Sequence, residues 1–350
     1  MQSRILSAAF LLGLAAFPLA VSAQLAPSPD APPPASTAPA QPESDESMLT
    51  LKLNVNLVNV FFMVKDKQGN LVPHLTKDDC SISEDKQLQT LKNFTAENDL
   101  PLTLGILLDT SGSQYRVLPL EQDVGSQFLA QVLRKKDEAF LLSFDVDVDL
   151  LQDYTSSAHQ LARAMAKAEI NTAGGNGAAG IPGAGGGTVP TVGTPKGTLL
   201  YDAVYLASNE KMAQETGRKA MILLTDGEDE GSDHRIQDAI AAAQKANAIV
   251  YVILIADRGF YGGFGYSGYS AMKKLTEETG GRLIDVGNNG KKLEAAFQQI
   301  QDELRTQYVA SYKPTNPKAD GTFRRIAVEC KGDGLKVQSR KGYYALAPEE

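Results

Sequence analysis

Three oxygen-bearing side chains stand at alternate positions directly after a short apolar run. In "ILLDTSGSQ" (residues 106–114), Asp109, Ser111 and Ser113 are separated by one residue each. Alternate residues of an extended segment project to the same side, so three short side chains can face one point. Carboxylate and hydroxyl oxygens suit Mg²⁺, Mn²⁺ or Ca²⁺. The spacing therefore favours a hard divalent cation, and capping of a turn or helix is the alternative.

Two further oxygen donors lie far along the chain. Thr198 is the second residue of "GTLLYDAV", where a glycine-rich stretch meets a helical pattern, and Asp226 ends the apolar run "MILLTD". In open parallel sheets, ligands bind outside the carboxyl ends of the strands, where the strand order reverses. We therefore expect Asp109, Ser111, Ser113, Thr198 and Asp226 to converge on one metal site.

The elements that must position these residues alternate between strand and helix. Residues 99–306 contain apolar strands separated by segments of helical period, which predicts an α/β fold with a doubly wound, mostly parallel sheet covered by helices on both faces. Residues 171–197 form a glycine-rich insertion predicted to be flexible. Residues 48–98 and 307–350 alternate apolar and polar side chains, and we expect these flanks to pair into one small β-rich module.

The motifs resemble those of von Willebrand factor type A (VWFA) domains. "DTSGS", the threonine of "GTLLYDA" and the aspartate of "LLTDGED" match the metal-ion-dependent adhesion site (MIDAS) in order. The flanks, including "NLVNVFFMVKDKQGNLVPHLTKDD", are similar to those of a bacterial, largely acidobacterial VWFA-related family. The glycine-rich insertion and the two cysteines depart from that pattern.

The resemblance implies a role for each site residue. Ser111 and Ser113 would contact the metal directly, Thr198 would do so in some states, and Asp109 and Asp226 would act mainly through water. A carboxylate from a protein ligand would take the open coordination position. Cation-dependent adhesion or protein binding is therefore the expected function. A structural or assembly component of the cell envelope, with the metal only ordering loops, is the alternative, and a metal-dependent hydrolase is a minor one.

Catalysis has little support in the sequence. His74, His159 and His234 are the only histidines, and none lies in a recognisable triad motif. The chain also lacks both the dinucleotide-binding glycine motif after its first α/β strand and the phosphate-binding loop motif. We therefore expect no catalytic residues and a protein that is not an enzyme.

The amino-terminal residues predict export. Residues 1–23 combine Arg4, an apolar stretch and a small-residue cleavage site, which is typical of a signal peptide; an uncleaved membrane anchor is the alternative. Residues 24–47 are rich in Pro, Ala and Ser and predict a disordered linker. We expect a periplasmic, secreted or envelope-associated protein with no stable membrane insertion after cleavage.

The charge and the cysteine content indicate which partners and which compartment to expect. The formal charge is −8, with 34 basic and 42 acidic residues and no basic cluster in sequence, which argues against nucleic acid as a partner. Cys80 and Cys330 are the only cysteines, and an even pair in an exported chain indicates a disulfide. Two separate buried thiols are the alternative.

Overall fold

A computed structural model of the chain describes residues 57–97, 100–171, 197–255 and 268–346. The predicted signal peptide (1–23), the predicted linker (24–47) and most of the glycine-rich insertion (171–197) lie outside the described residues. In the described ranges, no helix combines the length and the apolarity needed to cross a membrane.

Strands at both ends of the described chain flank a central run of alternating strands and helices. The strands are β1 Val58–Lys65, β2 Cys80–Glu84, β3 Gln87–Leu88, β4 Leu91–Glu97, β5 Leu102–Asp109, β6 Glu138–Phe144, β7 Val148–Thr155, β8 Arg218–Thr225, β9 Ala248–Leu254, β10 Leu283–Asp285, β11 Gln307–Tyr312, β12 Phe323–Cys330, β13 Lys336–Ser339 and β14 Gly342–Tyr344. The helices are α1 Leu118–Val132, α2 Ala158–Met165, α3 Leu200–Leu206, α4 Ile236–Lys245, α5 Gly268–Thr279 and α6 Gly290–Arg305.

The central sheet has the strand order β10-β9-β8-β5-β6-β7. All its pairings are parallel except that of β6 with β7. Every residue of β5, β8 and β9 is buried, as expected for strands covered on both faces. Helices α1, α2 and α6 pack on one face, and α3, α4 and α5 on the other. The predicted fold class is confirmed.

Strand order reverses beside β5. The chain adds β6 and β7 on one side of β5 and then returns to add β8, β9 and β10 on the other side. The carboxyl ends of β5 and β8 therefore border the point where connections leave in opposite directions. Such a switch point is where open α/β sheets bind ligands.

The two flanks of the chain form a pair of antiparallel four-stranded sheets. Their strand orders are β13-β1-β11-β4 and β14-β12-β2-β3, so each sheet combines amino-terminal and carboxy-terminal strands. Apolar side chains from both sheets, including Phe62, Ile82 and Tyr308, form a shared core. Cys80 and Cys330 lie opposite each other on β2 and β12 and form a disulfide across 250 positions of sequence. This bond joins the two ends of the described chain within the β-rich module.

Strand β1 is buried on both faces. Val60, Phe62 and Val64 face the core of the β-rich module, whereas Phe61 and Met63 join the core of the central sheet. At the end of this strand, Lys65 Nζ lies 2.6 Å from Glu303 Oε1 on α6, and both side chains are almost fully buried. The module and the central sheet therefore share a continuous apolar and ionic contact.

Candidate metal site

Asp109 is the last residue of β5 and is fully buried. The parallel register pairs Leu108 with Leu224, which places Thr225 beside Asp109. Thr225 Oγ1 donates to Asp109 Oδ2 at 2.6 Å, and the backbone N–H of Ser111 donates to Asp109 Oδ1 at 3.0 Å. These bonds orient the carboxylate, which holds the turn that follows β5.

The two serines of the turn extend towards the end of β8. Ser111 Oγ lies 3.0 Å from Ser113 Oγ, and Ser113 Oγ donates to Asp226 Oδ2 at 2.5 Å. Asp226 is almost fully buried, whereas both serines are partly accessible to solvent. Four of the five predicted site residues are thus connected through hydrogen bonds, with hydroxyls outermost and carboxylates behind them.

The fifth predicted residue, Thr198, lies in a segment held between two loops at the same edge of the sheet. The backbone N–H of Glu230 donates to the carbonyl oxygen of Thr198 at 2.9 Å, and the next residue, Leu199, donates its N–H to the carbonyl oxygen of Asp145 at 2.8 Å. Glu230 belongs to the loop after β8 and Asp145 to the turn after β6. The backbone of Thr198 is therefore near the carboxyl edge, and metal ligation by its hydroxyl stays a prediction.

Glu121 is a carboxylate near the site that the sequence analysis did not predict. It lies on α1, is fully buried, and among the described residues neither of its carboxylate oxygens has a hydrogen-bond partner. Burial raises its pKa well above the usual range, and the negative charges of Asp109 and Asp226 raise it further. A third acidic side chain therefore lies close behind the two strand-end aspartates.

The same effects act on Asp109. Burial and then the charge of Asp226 raise the pKa of Asp109 from 3.8 to about 7, although hydrogen bonds from Ser111 and Thr225 oppose the shift. Ionising both aspartates in this buried position is consequently unfavourable unless positive charge compensates it. A cation held in front of them would supply that charge.

Two neutral side chains also contact the aspartates. Gln114 is buried and donates from Nε2 to Asp226 Oδ2 at 2.9 Å, and Thr225 donates to Asp109.

The position of Glu121 had a detectable signal in sequence. Leu118, Glu121 and Val124 occupy the buried stripe of α1, so a carboxylate interrupts an otherwise apolar helix face. Gln114 and Thr225 gave no comparable signal.

The available donors define which metals fit. Within the described ranges, no group of three or more His, Cys, Asp or Glu side chains is arranged to hold a metal ion. The donors that meet at this edge are the hydroxyls of Ser111 and Ser113 and the carboxylates of Asp109 and Asp226. This all-oxygen set fits a hard divalent ion such as Mg²⁺, Mn²⁺ or Ca²⁺.

The acidic turn after β6 and the histidine after β8 have structural contacts. Asp145 Oδ2 accepts from Thr110 Oγ1 at 2.7 Å, in the turn that joins the antiparallel strands β6 and β7. His234 Nδ1 lies 2.7 Å from Asp202 Oδ1, and Asp202 also accepts the backbone N–H of His234 at 2.9 Å. These bonds fix loops next to the site.

No protein-family model matches this chain, and no curated protein matches it. Solved structures with a similar fold include the conserved hypothetical protein BatB from Bacteroides thetaiotaomicron, at 18% identity and a TM-score of 0.41 over 58% of this chain and 98% of that one. The PilB minor pilin from Streptococcus sanguinis is 13% identical, with a TM-score of 0.38 over 59% and 62% of the two chains.

A third similar structure is proximal thread matrix protein 1 from the mussel byssus, solved with a zinc-occupied MIDAS motif. It is 14% identical to this chain, with a TM-score of 0.45 over 63% of this chain and 50% of that one. These likenesses are distant.

Proposed function

We propose that this chain is an exported, metal-ion-dependent adhesion or protein-binding module. The observation that carries the proposal is the meeting of Asp109 and Asp226 with the accessible hydroxyls of Ser111 and Ser113 at the switch point of the sheet. The buried carboxyl of Glu121, which has no hydrogen-bond partner among the described residues, is a third acidic group behind them, and a bound cation would favour its ionisation. A divalent cation fits both the donor set and this acidic surrounding.

Each side chain has a defined part in the proposal. Ser111 and Ser113 present neutral oxygens at the surface and would hold the ion directly. Asp109 and Asp226 lie behind them and would contribute charge, mainly through water, while Thr198 would contribute its hydroxyl in some states. Because the direct ligands are mostly neutral, a bound divalent ion would remain electrophilic enough to attract a carboxylate from a partner protein.

The proposed place of action is outside the cytoplasm. The signal-like residues 1–23 support export, and a disulfide between Cys80 and Cys330 suits an oxidising compartment. The partner would be a protein that presents an exposed acidic side chain, and Mg²⁺ is the first candidate ion.

Calorimetric titration of Mg²⁺, Mn²⁺ and Ca²⁺ tests the metal site. We expect the wild-type protein to bind the smaller ions more tightly and Asp109→Ala to bind none. Asp149→Ala is the matched control, because Asp149 is an exposed aspartate on β7. Equal binding by the wild type and Asp109→Ala would overturn the metal site.

A pull-down from envelope extract, with and without a chelator, tests adhesion. Release of a captured protein by the chelator supports adhesion, whereas a chelator that lowers only the melting temperature supports the structural alternative. Metal-dependent turnover in a hydrolase panel, abolished by Ser111→Ala, would instead support the enzyme alternative.

A further inference from the structure

A groove of about 550 Å³ lies between the end of α4 and the β-rich module. Its lining includes four cationic side chains, Lys245, Lys313, Lys318 and Arg340, and no Asp or Glu is among the described residues that line it. The whole chain has a formal charge of −8, so this lining is a local reversal of the overall charge. The groove therefore concentrates positive potential on an acidic protein.

Arg340 is the cation that the fold holds in place. Its Nη2 donates to the carbonyl oxygen of Asn59 at 2.9 Å, and its Nε is buried without a hydrogen-bond partner. Within the described part of the chain, no acidic side chain forms an ion pair with it. Burial lowers the pKa of Arg340 to about 10. Arg340 is half-buried. A partly desolvated guanidinium without a carboxylate is unfavourable, and an anionic ligand would compensate it.

Two tyrosines support the cations. Lys245 Nζ lies 5.2 Å from the ring centre of Tyr344, and Arg340 Cζ lies 5.6 Å from that of Tyr343. Because cations already cover these ring faces, the faces are poorly placed to stack on sugar rings. The arrangement favours carboxylates that approach the cations from the open side.

Apolar side chains beside the cations favour a polypeptide. Pro314, Pro317 and Leu346 also line the groove, and Leu346 is 50% exposed. Proline and leucine can pack against the aliphatic parts of an extended peptide while the lysines and Arg340 pair with its carboxylates. This combination fits an acidic peptide better than a free inorganic anion.

The groove is remote from the candidate metal site. It is lined by Asn247 and by Lys245 of α4, just before β9 begins at Ala248, whereas Asp109 and Asp226 lie at the carboxyl ends of their strands. A seven-residue strand such as β9 spans roughly 23 Å. Occupation of one site therefore leaves the other accessible.

We propose that this groove is a second, metal-independent binding site for an extended acidic segment of a partner protein. Arg340 anchors one carboxylate at the base of the groove, and Lys245, Lys313 and Lys318 pair with others along its rim. The site supplies an ionic contact at the end of the sheet opposite the metal site.

Fluorescence anisotropy with labelled hexaglutamate, measured on the full chain in EDTA, tests this site. We expect saturable, salt-sensitive binding of hexaglutamate and none of hexaglutamine. Arg340→Gln should weaken binding about tenfold, and the double variant Lys313→Gln/Lys318→Gln about threefold to tenfold. Lys135→Gln, at an exposed lysine outside the groove lining, is the matched control and should bind as the wild type does.

Arg340→Gln can also alter folding, so the double variant on the exposed 313–319 loop keeps the test independent of the core. Equal binding of hexaglutamate and hexaglutamine, unchanged binding by the double variant, or tighter binding of trigalacturonate than of hexaglutamate would overturn the proposal. Binding that requires Mg²⁺ would overturn it as well. Asp109→Ala should lose the metal and keep the peptide, which separates a failure here from a failure of the metal site.

Discussion

Replacing Asp109 with asparagine is expected to stabilise the metal-free protein at neutral pH. Burial and Asp226 raise the pKa of Asp109 from 3.8 to about 7 in the folded protein. Between these two pH values the folded protein holds a proton at this carboxyl that the unfolded chain has lost, so the free energy of unfolding falls as pH rises. The difference between the two pKa values lowers the free energy of unfolding by about 4 kcal/mol at pH values above 7. Asparagine cannot ionise and escapes this loss.

The assay is denaturant unfolding followed by circular dichroism, in EDTA, at pH 4 to 8. The wild type and Asp109→Asn should have similar stability near pH 4, and the variant should gain up to about 4 kcal/mol relative to the wild type by pH 8. Asp149→Asn, at an exposed position, should show no such divergence. Comparing the wild type with the variant isolates Asp109 from other groups that titrate in this range.

Added Mg²⁺ completes the test. A ligand that binds only the folded state raises its stability by an amount set by its concentration and affinity, so Mg²⁺ should stabilise the wild type at pH 8 and leave Asp109→Asn nearly unchanged. Glu121→Gln should also stabilise the metal-free protein at pH 8, because burial and the two aspartates make ionisation of Glu121 unfavourable and glutamine cannot ionise. The reasoning is refuted if the difference between the wild type and Asp109→Asn is independent of pH, or if Mg²⁺ stabilises both equally.

Other parts of the fold give further tests. Replacing Cys80 and Cys330 with serine should lower the free energy of unfolding by about 2–5 kcal/mol, measured by denaturant unfolding; reductant should mimic the change in the wild type and have no effect on the variant. Lys65→Met should cost about 3–5 kcal/mol because it removes the nearer of the two cations that lie beside the buried Glu303 and leaves the more distant Arg282. Lys67→Met, which breaks the exposed contact with Asp333, should cost less than about 1 kcal/mol in the same assay, and equal costs for the two lysine variants would contradict this difference in burial.

Local patterns in the sequence predicted most of the fold. Apolar runs such as "LTLGILLD" and "AIVYVIL" indicated strands buried on both faces, and the helical spacing in α1 and α6 indicated helices that cover them. The alternating flanks indicated the β-rich module. These predictions succeed because the period of apolar residues is a property of each segment by itself.

The site was predictable only in part. The positions of Asp109 and Asp226 at strand ends, and the alternation of Asp109 with two serines, are visible in the sequence. Glu121 is detectable in the sequence as a carboxylate on an apolar helix face. Metal ligation by the hydroxyl of Thr198 stays a prediction. The contacts that place its backbone connect three separate loops, and the sequence of one segment does not specify them.

The sequence by itself determined the order of elements, the apolar faces and the oxygen donors at the ends of two strands, because these depend on neighbouring residues. Only the tertiary structure decided which strands are adjacent, that Thr225 bonds Asp109, that Glu121 approaches both aspartates, and that Lys245 and Arg340 share a groove. Those relations join residues that are distant in the chain. Their distances follow from strand register and helix packing, which no single segment specifies.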